Sequence, residues 1–110
     1  MPTDIVLLMT TVPVKTDALA LARTLVDEKL AACVNVLPTI TSVYRWKGVV
    51  EQEEEQQLII KTTVTRIQAL QSRLAELHPY EVPESLVLSV NSGADNYLRW
   101  LRESTTITVL

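Results

Sequence analysis

Residues 31–61 read AACVNVLPTITSVYRWKGVVEQEEEQQLIIK, and this stretch predicts one long β-hairpin. Its first arm carries apolar or aromatic side chains with the two-residue period of a strand, at Val34, Val36, Ile40, Tyr44 and Trp46. Lys47-Gly48 supplies the turn, and residues 58–60 mark the return arm. An arm of this length spans about 50 Å, whereas a compact chain of this size is about 35 Å across. The hairpin must therefore bend or protrude, which predicts an oligomer that covers it.

The return arm has conflicting local signals. Residues 51–57 are all glutamate or glutamine, whose local preference is helical. The apolar run at 58–60 and the facing arm across the turn favour a strand instead. On a strand, only Glu51, Glu53 and Glu55 share one side. They favour a solvated edge protected by charge over a dedicated cation site.

The remainder of the chain predicts an α+β fold. Residues 4–12 form a first strand, and a helix capped by Thr16 runs to about residue 30. A second helix begins at a T-x-x-Q capping box and ends before Pro79, and a strand follows at 85–90. The predicted buried stripes are Leu19, Ala22, Val26 and Leu30 in the first helix, and Ile67, Leu70, Leu74 and Leu77 in the second.

The element order β-α-β-β-α-β predicts a ferredoxin-like sandwich, in which two helices cover one face of an antiparallel sheet. A short helix at 94–102 and a C-terminal strand at 105–110 are appended, and residues 1–110 form one domain. Pro38 predicts a bulge or an edge position within the first arm of the hairpin. The uncovered sheet face needs a partner surface.

Composition excludes several classes of function. A net charge of -3 is unlike that of a nucleic-acid-binding domain. No apolar run is long enough to span a membrane, and a single cysteine gives no internal disulfide, so a cytoplasmic protein is expected. With only two glycines there is no phosphate-binding loop, and no nucleophile–base constellation is visible, so no catalytic residue is predicted.

Two single residues have alternative interpretations. His78 is the only imidazole, and it serves either as a cap at the end of a helix or as a metal ligand. Cys33 is either a small buried hydrophobe or, in an oligomer that brings copies together, a thiolate site.

The loop at residues 79–84, PYEVPE, also has two interpretations. Its prolines stiffen the approach to the next strand, or they hold one wall of a binding cleft. In the second case Tyr80 and Glu84 lie near Lys61 and Trp46 between subunits, and the cleft accepts a small anionic molecule or another metabolite.

Three segments give the chain a family resemblance. AACVN at 31–35, TSVY leading to WKG at 41–48, and HPYEVPE at 78–84 resemble the CutA divalent-cation-tolerance family. YLRW at 97–100 is similar to the family's final short helix, and the resemblance extends from the first strand to Trp100. It implies a ferredoxin-like homotrimer related to PII-like signalling proteins and associated with tolerance of copper and other divalent metals.

The resemblance also implies positions for metal ligands, namely the end of the first strand and the two residues before Pro-Tyr. Here these positions hold Met9, Leu77 and His78, and Leu77 cannot bind a metal. The predicted metal set is therefore His78, Met9 and Cys33, with copper or another divalent cation as the cofactor. Met9 suits only a soft ion such as Cu(I).

Two functions follow from the residues and the resemblance together. The first is a metal-tolerance trimer that acts by binding metal and not by catalysis. The alternative is a PII-like signalling or scaffold trimer that binds a small metabolite in the intersubunit cleft. In either case, burial of three hairpins between subunits predicts an assembly that resists heat.

Overall fold

The computed structural model describes residues 2–107, which form a five-stranded antiparallel sheet and three α-helices. The elements follow in the order β1 (Ile5–Pro13), α1 (Ala18–Asp27), β2 (Cys33–Val36), β3 (Ile40–Trp46), β4 (Val49–Thr63), α2 (Ile67–Leu77), β5 (Leu86–Ser89) and α3 (Asp95–Thr105). The strand order is β2-β4-β1-β5, and β3 continues beside β4 beyond β2. The predicted α+β arrangement is confirmed.

The main core lies between one face of the sheet and the helices α1 and α2. Leu8 and Val12 of β1 and Leu58 and Ile60 of β4 point into it and are fully buried. The predicted stripe of α2 is confirmed, with Leu70 and Leu74 buried and its two outer members packed against them. Each such side chain contributes about 1.5–3 kcal/mol through burial.

Helix α3 covers one end of the opposite sheet face. Leu98 and Leu101 pack there against Ile5 and Ala32. The rest of this face, which we call the open face, is not covered by a helix of the described chain. Within residues 2–107 no helix is long and apolar enough to span a membrane.

The predicted stripe of α1 is partly wrong. Ala22 is buried as expected, but Leu19 is 64% exposed and Val26 is 41% exposed. The helix instead buries Ala18, Leu21, Ala22 and Leu25. Apolar residues surround most of the circumference of this helix, so their period did not identify the buried side. Its N-cap is Asp17, whose Oδ1 accepts the Ala20 N–H at 3.0 Å, and not Thr16.

Two other local predictions need correction. Helix α2 has no side-chain cap, since Thr65 Oγ1 lies 3.0 Å from Thr63 Oγ1 and takes no part in a capping box. Thr105 is the last residue of α3, and residues 106 and 107 belong to no strand. The rest of the predicted C-terminal strand, residues 108–110, lies outside the described residues.

A one-residue mismatch divides the first arm of the hairpin into β2 and β3. Val36 pairs with Leu58, whereas Ile40 pairs with Glu55, so four steps on this arm oppose three on β4. This is a bulge, and it surrounds Pro38 as predicted. Alternate side chains of a strand lie on opposite sides of the sheet. The extra residue therefore moves the even-numbered side chains of this arm from one side of the sheet to the other. Val34 and Val36 therefore pack towards the helices, while Ile40 and Tyr44 lie on the open face.

Beyond the bulge, the hairpin projects from the sheet as predicted. The pairing of β1 with β4 ends at Pro13 and Glu55, so residues 49–54 of β4 pair only with β3 among the described residues. The chain measures 47 × 31 × 23 Å with a radius of gyration of 14.9 Å, more elongated than the value of about 13 Å for a compact chain of this length. Lys47 and Gly48 turn the ribbon with positive φ angles of 50° and 82°.

We predict that Leu25→Ala lowers the free energy of unfolding by about 2–5 kcal/mol, because it leaves a cavity in the core. Leu19→Ala on the same helix is the matched control and changes the free energy by less than about 0.5 kcal/mol. Urea unfolding followed by circular dichroism measures both at equal protein concentration. Equal losses of unfolding free energy in the two variants would contradict the observed orientation of α1, in which Leu25 is buried and Leu19 is exposed.

Candidate functional site

Helix α2 ends at Leu77 because the following residue precedes a proline. His78 adopts φ -80° and ψ 134°, which is the extended conformation favoured before Pro79. This places the imidazole, which is only 8% exposed, against strand β1. Its Nε2 lies 2.7 Å from the Thr11 carbonyl oxygen, and its Nδ1 lies 3.1 Å from the Tyr80 amide nitrogen.

These two contacts assign the donor and acceptor roles of the two ring nitrogens of His78. A carbonyl oxygen can only accept, so Nε2 carries the proton and donates to Thr11. The backbone amide can only donate, so Nδ1 accepts from Tyr80. Both ring nitrogens are thus engaged in hydrogen bonds, and neither has a lone pair free for a metal. His78 thus links the loop to β1 through the Thr11 carbonyl. It does not cap the carbonyl groups at the end of α2.

The other predicted metal ligands lie elsewhere in the sheet. Met9 pairs with Ile59, while Cys33 pairs with Lys61 two strands away. Two strand spacings alone separate their backbones by about 10 Å. Cys33 is half-buried, and its Sγ is 3.8 Å from Asn35 Nδ2. Met9, Cys33 and His78 are therefore not brought together within one chain, and residues 2–107 hold no group of three His, Cys, Asp or Glu placed to bind an ion.

Glu55 is a buried carboxylate at the base of the projecting ribbon. Its side chain is on the open face, and the residue is only 6% exposed. Tyr80 Oη donates to its Oε2 at 2.7 Å, and no described lysine or arginine forms an ion pair with it. Burial of the phenol, then the hydrogen bond to Glu55 and the nearby carboxylates, raises the pKa of Tyr80 well above its ordinary value.

A second hydrogen bond fixes the far end of the loop. Gln57 Nε2 lies 3.0 Å from Glu84 Oε2 and 2.7 Å from the Thr10 carbonyl oxygen, so the amide donates to both. The loop between Pro79 and Glu84 is thereby held over the open face at both ends. Its prolines stiffen the backbone between these two contacts.

The loop and the ribbon border a cavity of about 850 Å³ that is partly open to solvent, and its volume is within the usual range of about 300–1,000 Å³ for small-molecule sites. We call it the hairpin cavity. Its acidic lining consists of Glu51, Glu53, Glu55, Glu81 and Glu84, and its aromatic lining of Tyr44, Trp46 and Tyr80. No lysine, arginine or histidine is among the described residues that line it.

Three of the four residues predicted for the ligand cleft meet here: Trp46, Tyr80 and Glu84. Lys61 does not join them within the chain. It is six residues along β4 from Glu55, a separation of about 20 Å. Its Nζ lies 3.4 Å from Tyr97 Oη and 5.8 Å from the centre of that ring.

The solvated edge predicted for the glutamates of β4 is wrong for Glu55, which is buried. Glu51, Glu53 and Glu55 all line the hairpin cavity. Two signals were available in the sequence: the alternation E-x-E-x-E on a strand, and the absence of a basic residue from the loop at 79–84. Their meeting depended on the pairing of β4 with β1, which fixes the side that the glutamates face, and on the contacts of His78 that hold the loop against β1.

Comparison with known proteins gives a consistent result. The family model for the CutA1 divalent ion tolerance protein matches residues 6–104. The divalent-cation tolerance protein CutA of Thermus thermophilus is 47% identical over 95 residues, which is 86% of this chain and 92% of that protein. The crystal structure of CutA from Xylella fastidiosa is similar with a TM-score of 0.90 and 40% identity, over 94% of this chain and all of that one.

A further solved structure is described as the PII-like protein CutA from Nostoc sp. PCC 7120 in apo form. It is similar to this chain with a TM-score of 0.86 and 35% identity, over 94% of this chain and 99% of that one. The fold is therefore shared with a protein described as PII-like.

We predict that Tyr80→Phe removes a pH-dependent part of the stability. The folded pKa of Tyr80 is raised above its ordinary 10.0, so the folded state holds this proton more tightly than the unfolded state. The resulting stabilisation is complete below about pH 10 and is lost as the pH rises towards the folded pKa. Between pH 9 and 11, the free energy of unfolding by urea should thus fall more steeply in the wild type than in Tyr80→Phe.

Tyr97→Phe is the control for this measurement, because it leaves the contact between Tyr80 and Glu55 in place. It should keep the steeper fall of the wild type. If Tyr80→Phe and the wild type fall with the same slope, the hydrogen bond between Tyr80 and Glu55 is not present in solution.

Proposed function

Because this chain belongs to the CutA1 divalent ion tolerance family, we propose that it acts in divalent-cation tolerance by binding cations and not by catalysis. The observation that carries this proposal is the hairpin cavity, which has five carboxylates and no basic side chain among its described lining residues. Such a surface attracts cations, since the negative field of several carboxylates adds within a concave site.

The carboxylates favour hard cations with oxygen ligands. Magnesium keeps several of its water molecules when it binds to proteins, so it does not need three converging side chains. This agrees with the separation of the carboxylates along the ribbon. A hydrated divalent cation contacting Glu53 and its neighbours through water is the mode of binding that we propose.

Copper is the specific metal that the family resemblance predicts. His78 would have to break one of its two hydrogen bonds to bind it, and Cys33 and Met9 would have to converge from different subunits. We therefore propose that the carboxylates, and not His78, Met9 and Cys33, attract the divalent cation. The cytoplasmic location stays a prediction.

We also propose that the protein is a homotrimer. Leu86, Val87 and Leu88 on the edge strand β5 are 56%, 44% and 42% exposed, and Trp100 on α3 is 45% exposed. An apolar edge strand of this kind invites pairing or coverage by another chain. The open face of the sheet offers a second surface that a subunit would cover.

The PII-like fold supports the second candidate function, a signalling or scaffold trimer that binds a metabolite. Its strongest feature is again the hairpin cavity, whose volume suits a small molecule. The tight turn at Lys47 and Gly48 limits the ribbon to a short tip. Any partner contact would thus involve the sides of the ribbon and not a long flexible loop.

We predict that Glu53→Gln weakens the binding of Mg²⁺ and Zn²⁺ by about fivefold, which is the effect of about 1 kcal/mol for one lost charge. Glu54→Gln on the opposite face of the same strand removes an equal charge away from the cavity, and it serves as the control. Isothermal titration calorimetry with Mg²⁺, Zn²⁺ and Cu²⁺ measures the affinities of both variants and the wild type.

His78→Gln should leave these affinities unchanged, because glutamine can still donate to the Thr11 carbonyl. Loss of Cu²⁺ binding in a folded His78→Gln variant would instead show that the imidazole binds the metal. If none of the three metals binds to the wild type, the cation-binding proposal fails.

We predict a molar mass near three times the chain mass of 12.3 kDa in light scattering. Unfolding that is coupled to dissociation also makes the melting temperature fall on dilution. A monomeric mass, or a melting temperature that is constant over a thousandfold dilution, would contradict the trimer.

A further inference from the structure

The open face of the sheet carries opposite charges near its two ends. The odd-numbered glutamates of β4 lie on it beside the ribbon, and Lys61 lies on the same face six residues beyond Glu55. The described strands contain only one other basic residue, Arg45, which pairs with Val50 on the opposite face. Lys61 is therefore the only basic residue of the described strands on the open face.

Between these two ends, the open face carries a continuous apolar patch. Its members pair with one another across β1, β4 and β5: Leu7 with Leu88, and Met9 with both Leu86 and Ile59. Leu86 and Leu88 are exposed, and the other three are half-buried. An exposed apolar patch marks a surface that another chain covers. In the proposed homotrimer, that chain is a second copy of this one.

A subunit that covers the open face must bring positive charge to the hairpin cavity. The cavity lies on that face, and its described lining has five carboxylates and no basic side chain. Removing carboxylates from water without a nearby cation is strongly unfavourable. The open face of a second copy can supply Lys61, whose Nζ lies 3.4 Å from Tyr97 Oη and forms no ion pair among the described residues.

We propose that Lys61 of the partner subunit lies in the hairpin cavity and forms an ion pair with Glu55, the one buried carboxylate of its lining. Within one chain these two residues are about 20 Å apart, so they can meet only between subunits. All contacts of a trimer are heterologous, so each subunit gives its lysine to one neighbour and receives one from the other. This proposal rests on the homotrimer of the proposed function, and it leaves the other four carboxylates for a divalent cation.

The test is a double-mutant cycle on trimer dissociation. Light scattering at a fixed urea concentration gives the protein concentration at which half of the trimer has dissociated. Lys61→Met keeps the length of the side chain, and it should raise this concentration about tenfold or more because Glu55 stays buried without its cation. Glu55→Gln keeps an acceptor for Tyr80 and should raise it about threefold or more. The double variant should lie within about twofold of Lys61→Met alone, whereas the two factors would multiply if the residues were independent.

Three control variants separate the ion pair from other effects. Lys61→Arg keeps the positive charge and should stay within about threefold of the wild type. Glu54→Gln removes a charge on the opposite face of β4, so its effect should simply multiply with that of Lys61→Met. Tyr97→Phe removes the hydroxyl near Lys61 and should change the half-dissociation concentration less than about twofold. Circular dichroism confirms that each variant is folded at concentrations where the wild type is a trimer.

The outcomes distinguish this proposal from the homotrimer on which it rests. A trimer in which the effects of Lys61→Met and Glu55→Gln multiply overturns the ion pair and leaves the homotrimer standing. A folded Lys61→Met variant that dissociates at the same concentration as the wild type overturns the ion pair as well. A wild-type protein that is monomeric without urea overturns both proposals.

Discussion

The arrangement of this protein depends on one extra residue in the first arm of its hairpin. Four steps from Val36 to Ile40 oppose three on β4, and the facing of the strand is reversed at that point. Before the bulge, the arm contributes valines to the core beneath the helices. After it, the same alternation directs Tyr44 and Trp46 to the open face, beside the glutamates of β4. Without the bulge, Tyr44 and Trp46 would lie on the same side as Val34 and Val36, away from the odd-numbered glutamates of β4.

Patterns that repeat over many residues predicted most of the fold. The stripe of α2, the strand character of 58–60 and the projection of the hairpin follow from period, length and the Lys47-Gly48 turn. The facing of α1 did not, because residues 18–27 are apolar on several sides. The candidate site was harder to predict from the sequence than the orientation of α1. Glu55 and Tyr80 are 25 positions apart, and they meet at 2.7 Å because β4 pairs with β1 and His78 holds the loop against β1.

His78 shows how the chemistry of a residue depends on its neighbours. As the only imidazole, it was the natural candidate for a metal ligand. Its two nitrogens instead connect a strand carbonyl to the amide of Tyr80, which positions the phenol over Glu55. The imidazole thus supports the hairpin cavity without lining it. The charge of the cavity comes from residues that look ordinary in the sequence.

The projecting ribbon also affects the tendency of the protein to aggregate. Past Glu55, the outer edge of β4 has no strand partner among the described residues, and exposed valines lie near the tip at 43, 49 and 50. Edges of this kind tend to join into aggregates, and neighbouring like charges oppose such joining. The glutamates therefore keep the ribbon soluble while they remain ionised and unneutralised. Neutralisation of these side chains would weaken that protection, so the charge of the ribbon and its resistance to aggregation are linked.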